Sequence, residues 1–218
     1  MLVLNKIDEL EQTFHQIPEE RKELLKSFAD YISNKIKEGS KISLTFICTH
    51  NSRRSHMAQI WAQTSAEYYG IPNVNCYSGG TEATAFNFRA VEAVKKAGFK
   101  IEKLDESDNP IYFVYYSADK EPLKCFSKVY SDSFNPQRDF AAIMTCSDAD
   151  ENCHVIFGAE ARFPIRYSDP KEFDGTELEE KKYKERFDQI GTEMLFAFSI
   201  ISRKKSTITI VFHTDKKH

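Results

Sequence analysis

The sequence predicts an α/β fold: a three-layer α/β/α arrangement with a mostly parallel sheet, preceded by an N-terminal helical extension. Short apolar runs typical of buried strands alternate with stretches of helical periodicity. Two of these runs end on a cysteine, Cys48 and Cys146, and polar loops follow both. The chain has 218 residues, 41% of them hydrophobic, which is enough for a full core.

The first 40 residues predict a helical hairpin or a bent helix. Apolar residues recur at helical spacing over residues 5–38, Pro18 suits the first turn of a second helix, and Gly39 ends it. We expect residues 1–40 to form an extension that packs on the main domain.

The main domain is expected over residues 41–203 and begins with a strand, a tight polar loop and a helix. The strand ends on Cys48, and the helical pattern starts at Ser55. A second strand and a second helix are expected at about 74–78 and over 87–97. Further strands are predicted at 111–116, 125–130, 140–145 and 162–167.

The C-terminal region predicts one more helix and a tail. Thr176–Glu179 has the form of a capping box, and apolar residues follow at helical spacing from Tyr183 to Phe198. Residues 204–218 are expected to be a tail, with a strand or an extended arm at Thr207–Phe212.

Composition and charge exclude several classes of protein. With 17 Phe, 10 Tyr and a net charge of −3, the chain is neither disordered nor a nucleic-acid binder held by bulk electrostatics. No run approaches the roughly 18–20 apolar residues that cross a bilayer, and a basic leader is absent. We therefore expect a cytoplasmic protein with neither nucleic-acid nor membrane partners.

The cysteines do not form the pattern of a structural disulfide framework. Their number, five, is odd and their spacing is uneven. Thiols stay reduced in the cytosol, so a disulfide here is expected to be transient and catalytic. Burial in a strand is the expectation for Cys76, and no role follows for Cys125.

The first candidate site is the segment Cys48-Thr49-His50-Asn51-Ser52-Arg53-Arg54-Ser55. A loop of this length between a strand and a helix lets successive backbone N–H groups surround a tetrahedral anion, and Arg54 can clamp two of its oxygens. The positive electrostatic field of these N–H groups and of Arg54 favours the thiolate form of Cys48, to which the Ser55 hydroxyl can donate. A Cys and an Arg at this spacing also occur by chance, but the strand before and the helix after favour the anion-binding interpretation.

This segment resembles the phosphate-binding loop of the low-molecular-weight protein tyrosine phosphatase fold. The likeness extends through His56–Gln59 and Tyr77–Glu82. The fold includes phosphotyrosine phosphatases and thioredoxin-coupled arsenate reductases. In both, the resemblance implies that Cys48 is the nucleophile, that Arg54 binds the oxyanion and that Ser55 stabilises the thiolate. Neither a metal nor another cofactor is expected.

Cys146 and Cys153 form the second candidate site, seven residues apart after a buried strand. Taken alone, they are as well explained by a buried small hydrophobe and a loop thiol. Their spacing does not suit the common zinc sites. Beside the Cys48 loop, however, the Cys-Ser-Asp-Ala-Asp run resembles the redox segment of thioredoxin-coupled arsenate reductases. The resemblance, which covers about residues 41–175, implies a relay from Cys48 through Cys146 to Cys153, reduced again by thioredoxin.

Asp169 is the candidate general acid. It follows the last predicted strand of the domain, where a carboxylic acid can protonate a departing oxygen. The Asp-Pro dipeptide by itself signals only a turn. The position of Asp169 after the other motifs resembles that of the acid loop in the family, and this resemblance implies that Asp169 is the general acid.

Several residues depart from the family pattern. His50 stands where the reductases usually carry Gly, and it either narrows the loop or points outward. Arg53 adds a charge where a small or apolar residue is common. It either attracts the anion as part of the binding loop or is a solvated surface side chain, and we expect the latter. Gln59 replaces an acidic residue that helps to hold potassium in some reductases, which leaves potassium dependence open. The stretch over 107–138 is longer than in compact reductases and either covers the site or carries an interface.

The leading hypothesis is therefore an arsenate reductase, with arsenate or phosphate and thioredoxin as partners. The alternative is a phosphatase acting on phosphotyrosine or small phosphate esters, which needs neither Cys146 nor Cys153. A third hypothesis is a non-catalytic redox sensor or binding module that uses the three cysteines.

Overall fold

The computed structural model describes residues 3–152 and 155–214, with side chains described up to residue 202 apart from residue 152. The helices are α1 (Leu4–Glu11), α2 (Glu19–Lys37), α3 (Arg54–Tyr68), α4 (Phe88–Lys96), α5 (Ser147–Asn152) and α6 (Glu179–Thr214). The strands are β1 (Ile42–Cys48), β2 (Val74–Gly80), β3 (Lys100–Lys103), β4 (Tyr112–Tyr115), β5 (Leu123–Cys125), β6 (Phe140–Met144) and β7 (Ala159–Phe163). Short 3-10 helices lie at Phe14–Gln16 and Pro170–Phe173.

Four strands form a wholly parallel sheet in the order β2-β1-β6-β7. Alternate residues of β6 belong to two different hydrophobic clusters, because successive side chains of a strand point to opposite faces. The larger cluster lies between one face and the long helices. The smaller one, on the other face, includes Cys48, Cys146 and Ala149 of α5. Helices thus cover both faces, and the predicted α/β fold is confirmed.

The long helix α6 organises the helical side of the fold, since α1, α2, α3 and α4 all pack against it. At Gly191 the packing is so close that an added Cβ would lie 2.6 Å from the Trp61 ring and 2.7 Å from Leu10. The first helices contribute Ile7, Leu10 and Leu25 to the same core as the sheet. The division into segments 1–40, 41–203 and 204–218 stays a prediction, although the boundary at 203/204 falls inside α6.

Two of the predicted strands belong to a different sheet from the one expected. β4, predicted at 111–116, pairs antiparallel with β3 and β5 in a separate three-stranded sheet. The strand predicted at 125–130 ends at Cys125, because the backbone beyond it bonds to the Cys48 loop and to Gly80. The strand predicted at 162–167 lies earlier, at Ala159–Phe163.

The C-terminal strand or arm expected at Thr207–Phe212 is wrong, because α6 continues through these residues to Thr214. Each added residue of a helix gains one hydrogen bond once the helix exists, and this propagation overrides the strand propensity of the β-branched run. None of the helices over the described residues combines the length and the apolar content needed to cross a membrane.

Candidate active site

The loop between β1 and α3 is shaped by hydrogen bonds to its outward-facing carbonyl oxygens. The Thr49 oxygen accepts from Glu82 N–H at 2.8 Å, the His50 oxygen from Ser127 Oγ at 2.9 Å, and the Ser52 oxygen from Asn87 N–H at 2.9 Å. Carbonyls turned outward in this way are the arrangement that a nest of inward-facing N–H groups requires. The loop also leads directly into the N-terminus of α3, where a helix attracts anions.

Gly80, which pairs with Cys48 across the β1–β2 register, lets the loop close against β2. A Cβ added there would lie 2.1 Å from the Glu82 oxygen and 2.6 Å from the Thr49 oxygen. Any side chain at this position would therefore push the loop out of its conformation. Asn51, at φ +44°, makes the tight turn in the left-handed region that Asn tolerates better than most residues.

The predicted nucleophile and its predicted hydroxyl partner are in contact. Cys48 Sγ lies 3.1 Å from Ser55 Oγ, and Asn51 Nδ2 donates to the same hydroxyl oxygen at 2.9 Å. When the sulfur is a thiolate it has no proton to give, so the Ser55 hydroxyl is then the donor of this contact. Asn51 Oδ1 in turn accepts from Lys128 N–H at 3.0 Å, so residues of the long 107–138 stretch support the loop from behind.

The predicted oxyanion binder and the predicted acid are also brought together. Arg54 donates to Asp169 Oδ2 at 2.7 Å and to the Tyr167 carbonyl oxygen at 2.9 Å. Asp169 caps the short 3-10 helix that follows it, since its Oδ1 accepts from Lys171 N–H at 3.1 Å. The carboxylate is thus fixed at the side of the loop from which Arg54 projects.

The expectation of a solvated Arg53 is wrong. This side chain is buried, and its Nε donates to Tyr183 Oη on α6 at 3.0 Å. Its guanidinium also lies 3.7 Å from Asp169 Oδ2. Arg53 can be buried because Tyr183 and Asp169, both more than 100 positions further along the chain, provide polar partners for its guanidinium. His50, by contrast, is half-exposed and lies 3.7 Å from Glu82, which agrees with the outward alternative.

Cys146 lies beside the loop, two residues beyond the end of β6, the strand that pairs with β1. Thr145 N–H donates to the Ile47 oxygen at 2.7 Å, and Thr49 Oγ1 lies 3.5 Å from Cys146 Sγ. The Cys146 thiol is fully buried at the start of α5, where Ala149 N–H donates to its sulfur at 3.4 Å. Cys153 lies outside the described residues.

The other cysteines are interior residues of strands. Cys76 in β2 and Cys125 in β5 are buried, and burial raises the pKa of both thiols, to about 12 for Cys125. Their thiols therefore stay protonated. All four cysteines with described side chains are free thiols.

Two buried basic residues near the loop did not stand out in the sequence. His56 stacks on Phe86 at 4.2 Å, and burial lowers its pKa well below the ordinary value, so its ring is neutral. The Lys128 ammonium lies 4.3 Å from the centre of the Phe126 ring and 5.2 Å from that of Phe134, and burial lowers its pKa to about 8. Tyr183 was also missed as a site residue, because its spacing is that of an apolar helix stripe. Nothing in the local sequence distinguishes Lys128 or Tyr183, and His56 was noted only as part of the family likeness over His56–Gln59.

A groove of about 590 Å³ adjoins the loop. It is bordered by His50 and Arg53 of the loop, by Phe88 of α4 and by Lys171 beyond Asp169. Within the described residues, no group of three or more His, Cys, Asp or Glu side chains is arranged to hold a metal ion. The groups that the site brings together are a thiol, an arginine and a carboxylate around the loop.

Comparison with known proteins gives several matches. A family model described as low molecular weight phosphotyrosine protein phosphatase matches residues 43–108. A protein named arsenate reductase from Bacillus licheniformis is 31% identical over 153 residues, or 70% of this chain and 91% of that protein. A protein named arsenate reductase 2 from Staphylococcus haemolyticus is 34% identical over 116 residues, or 53% of this chain and 69% of that protein. The solved structure of a YwlE mutant from Bacillus subtilis aligns with a TM-score of 0.49 at 16% identity, covering 74% of this chain and 99% of that one. The family match contains Cys48, Arg54 and Ser55 and ends before Cys146 and Asp169.

Proposed function

Since the chain belongs to the low molecular weight phosphotyrosine protein phosphatase family, and is therefore an enzyme of that superfamily, we propose that it is an arsenate reductase. The observation that carries this proposal is the second thiol beside the loop, with Cys146 Sγ 3.5 Å from Thr49 Oγ1. Ester hydrolysis needs one nucleophile only. Reduction of arsenate needs two electrons, which a pair of thiols supplies. The relatives named arsenate reductase support the same assignment.

In the proposed first step, arsenate occupies the loop and the Cys48 thiolate attacks arsenic. The backbone N–H groups of residues 49–54 and the Arg54 guanidinium hold the oxyanion. A sulfur–arsenic bond forms and an arsenic–oxygen bond breaks. Asp169, already within 2.7 Å of Arg54, supplies the proton with which the oxygen leaves as water.

In the second step, Cys146 attacks the sulfur of Cys48. A disulfide forms between the two residues, and the sulfur–arsenic bond breaks with its electron pair left on arsenic. Arsenic(V) is thereby reduced to arsenic(III) and leaves as arsenite, while two thiols are oxidised to one disulfide. The N–H group of Ala149 donates to Cys146 Sγ at 3.4 Å and holds the attacking sulfur at the start of α5.

In the third step, Cys153 attacks Cys146, and Cys48 leaves as a thiolate. The disulfide then joins Cys146 and Cys153, and a dithiol protein, thioredoxin, reduces it by exchange. This step moves the oxidised pair away from the loop, so that the next arsenate finds Cys48 reduced.

The test is arsenate turnover coupled to NADPH through thioredoxin and thioredoxin reductase. We expect turnover in the wild type and its loss in Cys146→Ser and Cys153→Ser. Cys76→Ser is the matched control, because this cysteine is buried in β2 away from the loop, and it should keep wild-type turnover. Unimpaired multiple turnover in Cys153→Ser would refute the relay.

A second function, phosphatase activity on phosphotyrosine or small phosphate esters, is favoured by the groove of about 590 Å³ beside the loop. Arsenate by itself does not need that space, whereas the leaving group of an ester does. This activity would use Cys48, Arg54, Ser55 and Asp169 and would survive substitution of Cys146. Hydrolysis of para-nitrophenyl phosphate that is unaffected in Cys146→Ser, with no arsenate turnover in the wild type, would identify the protein as a phosphatase.

A further inference from the structure

Arg53 and Tyr183 connect the oxyanion loop to helix α6 and to both ends of the acid loop, which we define as residues 169–174. Arg53 Nε donates to Tyr183 Oη at 3.0 Å, and Tyr183 Oη donates to Asp174 Oδ1 at 2.8 Å. On its other side, the Arg53 guanidinium lies 3.7 Å from Asp169 Oδ2. Arg53 therefore contacts one end of the acid loop directly and the other end through Tyr183.

Arg54 has two tasks that compete with each other. Without an anion it pairs with Asp169 at 2.7 Å, and under the proposed function it must clamp the oxyanion. When Arg54 turns to the anion, Asp169 loses its nearest cation. Asp169 Oδ1 keeps its bond from Lys171 N–H, but a largely buried Oδ2 that loses its nearest donor is costly and favours a swing of the carboxylate towards water.

Arg53 cannot turn in the same way, because it is buried and its Nε is bonded to Tyr183. Burial raises the pKa of Tyr183, so the phenol keeps its proton and continues to donate to Asp174. Asp174 is held from the other side by Arg89 at 3.6 Å. The Arg53–Tyr183 pair is thus fixed independently of Arg54.

We propose that Arg53 and Tyr183 are positioning residues that keep Asp169 at the anion site when Arg54 transfers to the bound oxyanion. The role rests on the proposed function of Asp169 as the acid. Of the other charged groups, Arg186 of α6 acts electrostatically on both Arg54 and Asp169, and Lys171 contacts Asp169 through its backbone N–H. Neither of these joins the two ends of the acid loop as the Arg53–Tyr183 pair does.

The test compares Tyr183→Phe and Arg53→Met with the wild type, using arsenate and para-nitrophenyl phosphate as substrates and amide hydrogen exchange as a readout that does not need turnover. Tyr31→Phe is the matched control, because Tyr31 also donates to a carboxylate, that of Glu160, far from the acid loop. We expect kcat to fall about 10- to 100-fold in both variants with KM little changed, since a misplaced acid affects the chemical step. Exchange should rise over residues 169–174, and loss of the Arg53 charge should move the alkaline limb of the kcat profile to higher pH.

The positioning role of Arg53 and Tyr183 can fail while the reductase assignment holds, and the reverse is also possible. A wild type that fails to reduce arsenate but hydrolyses the phosphate ester would refute the reductase and still test the positioning pair. Faster exchange with unchanged kcat and an unchanged pH profile would indicate a purely structural role and overturn the inference. Wild-type exchange in both variants would overturn it as well, whatever the activity.

Discussion

Replacing Ser55 by Ala tests how the fold prepares Cys48 for attack. Ser55 Oγ lies 3.1 Å from Cys48 Sγ and accepts from Asn51 Nδ2 at 2.9 Å, and its hydroxyl is the donor to the sulfur when Cys48 is a thiolate. The variant removes this donor from a sulfur atom that is almost fully buried. The thiolate form should therefore be less favoured in the variant.

The size of the effect follows from the charge of the acceptor. A hydrogen bond to a charged group contributes about 1.5–3 kcal/mol, and a diffuse sulfur anion belongs at the lower end, about 1.5–2 kcal/mol. This corresponds to an about 10- to 30-fold smaller ratio of thiolate to thiol in the variant at a given pH. The rate of alkylation of Cys48 by iodoacetamide should fall by up to that factor where thiol and thiolate coexist, and it should return to the wild-type rate at strongly alkaline pH.

The assay is alkylation followed by mass spectrometry of the Cys48 peptide over a range of pH. Ser33→Ala is the control for the loss of a buried hydroxyl, because Ser33 Oγ donates to the Ala29 oxygen on α2, outside the site. A wild-type alkylation profile in Ser55→Ala would refute the reasoning that Ser55 stabilises the thiolate.

Three further predictions concern the loop, the redox segment and pH. Gly80→Ala should abolish phosphate binding in calorimetry, because its Cβ would lie 2.1 Å from the Glu82 oxygen, and retained binding would contradict this. Asp150→Asn should lower the free energy of unfolding in urea by about 1–2 kcal/mol, because the nearly buried carboxylate pairs with Arg162 and Arg166, which are partly exposed. An unchanged urea midpoint would contradict a stabilising role of these ion pairs. Burial lowers the pKa of Lys128 to about 8 in the folded protein. Between that pH and the ordinary pKa of lysine, the unfolded chain therefore binds more protons than the folded one. The free energy of unfolding should rise with pH over this interval. Lys128→Met should remove that rise, measured by urea unfolding at both ends of the interval.

The local part of the fold was predictable because its signals are local. An apolar strand, a polar loop and an amphipathic helix follow one another from Ile42 to Tyr68, and the structure has β1, the loop and α3 in those places. The partner of a strand is a non-local choice, which is why β4 was expected in the parallel sheet and lies in a separate antiparallel one. The helix over Thr207–Phe212 was missed for a related reason, since propagation from the packed part of α6 decides it.

In the candidate site, too, the residues of one local segment were predictable and those that depend on distant contacts were not. Cys48, Arg54 and Ser55 belong to one short segment, and the contact between Cys48 and Ser55 follows from the loop that the segment forms. The burial of Arg53 depends on Tyr183, 130 positions further along the chain, which periodicity alone marks only as an apolar helix position. Lys128 supports the loop from a stretch whose strand propensity gave no sign of that contact.

The relay is tested most directly by a single turnover of Cys153→Ser without thioredoxin. We expect one equivalent of arsenite per protein and one new disulfide, between Cys48 and Cys146, identified by peptide mass spectrometry. Phosphate in place of arsenate should produce no disulfide, because phosphorus accepts no electrons from the thiols. Arsenite release without this disulfide, or no arsenite at all from a folded protein that binds phosphate, would contradict the assignment of Cys146 as the second thiol.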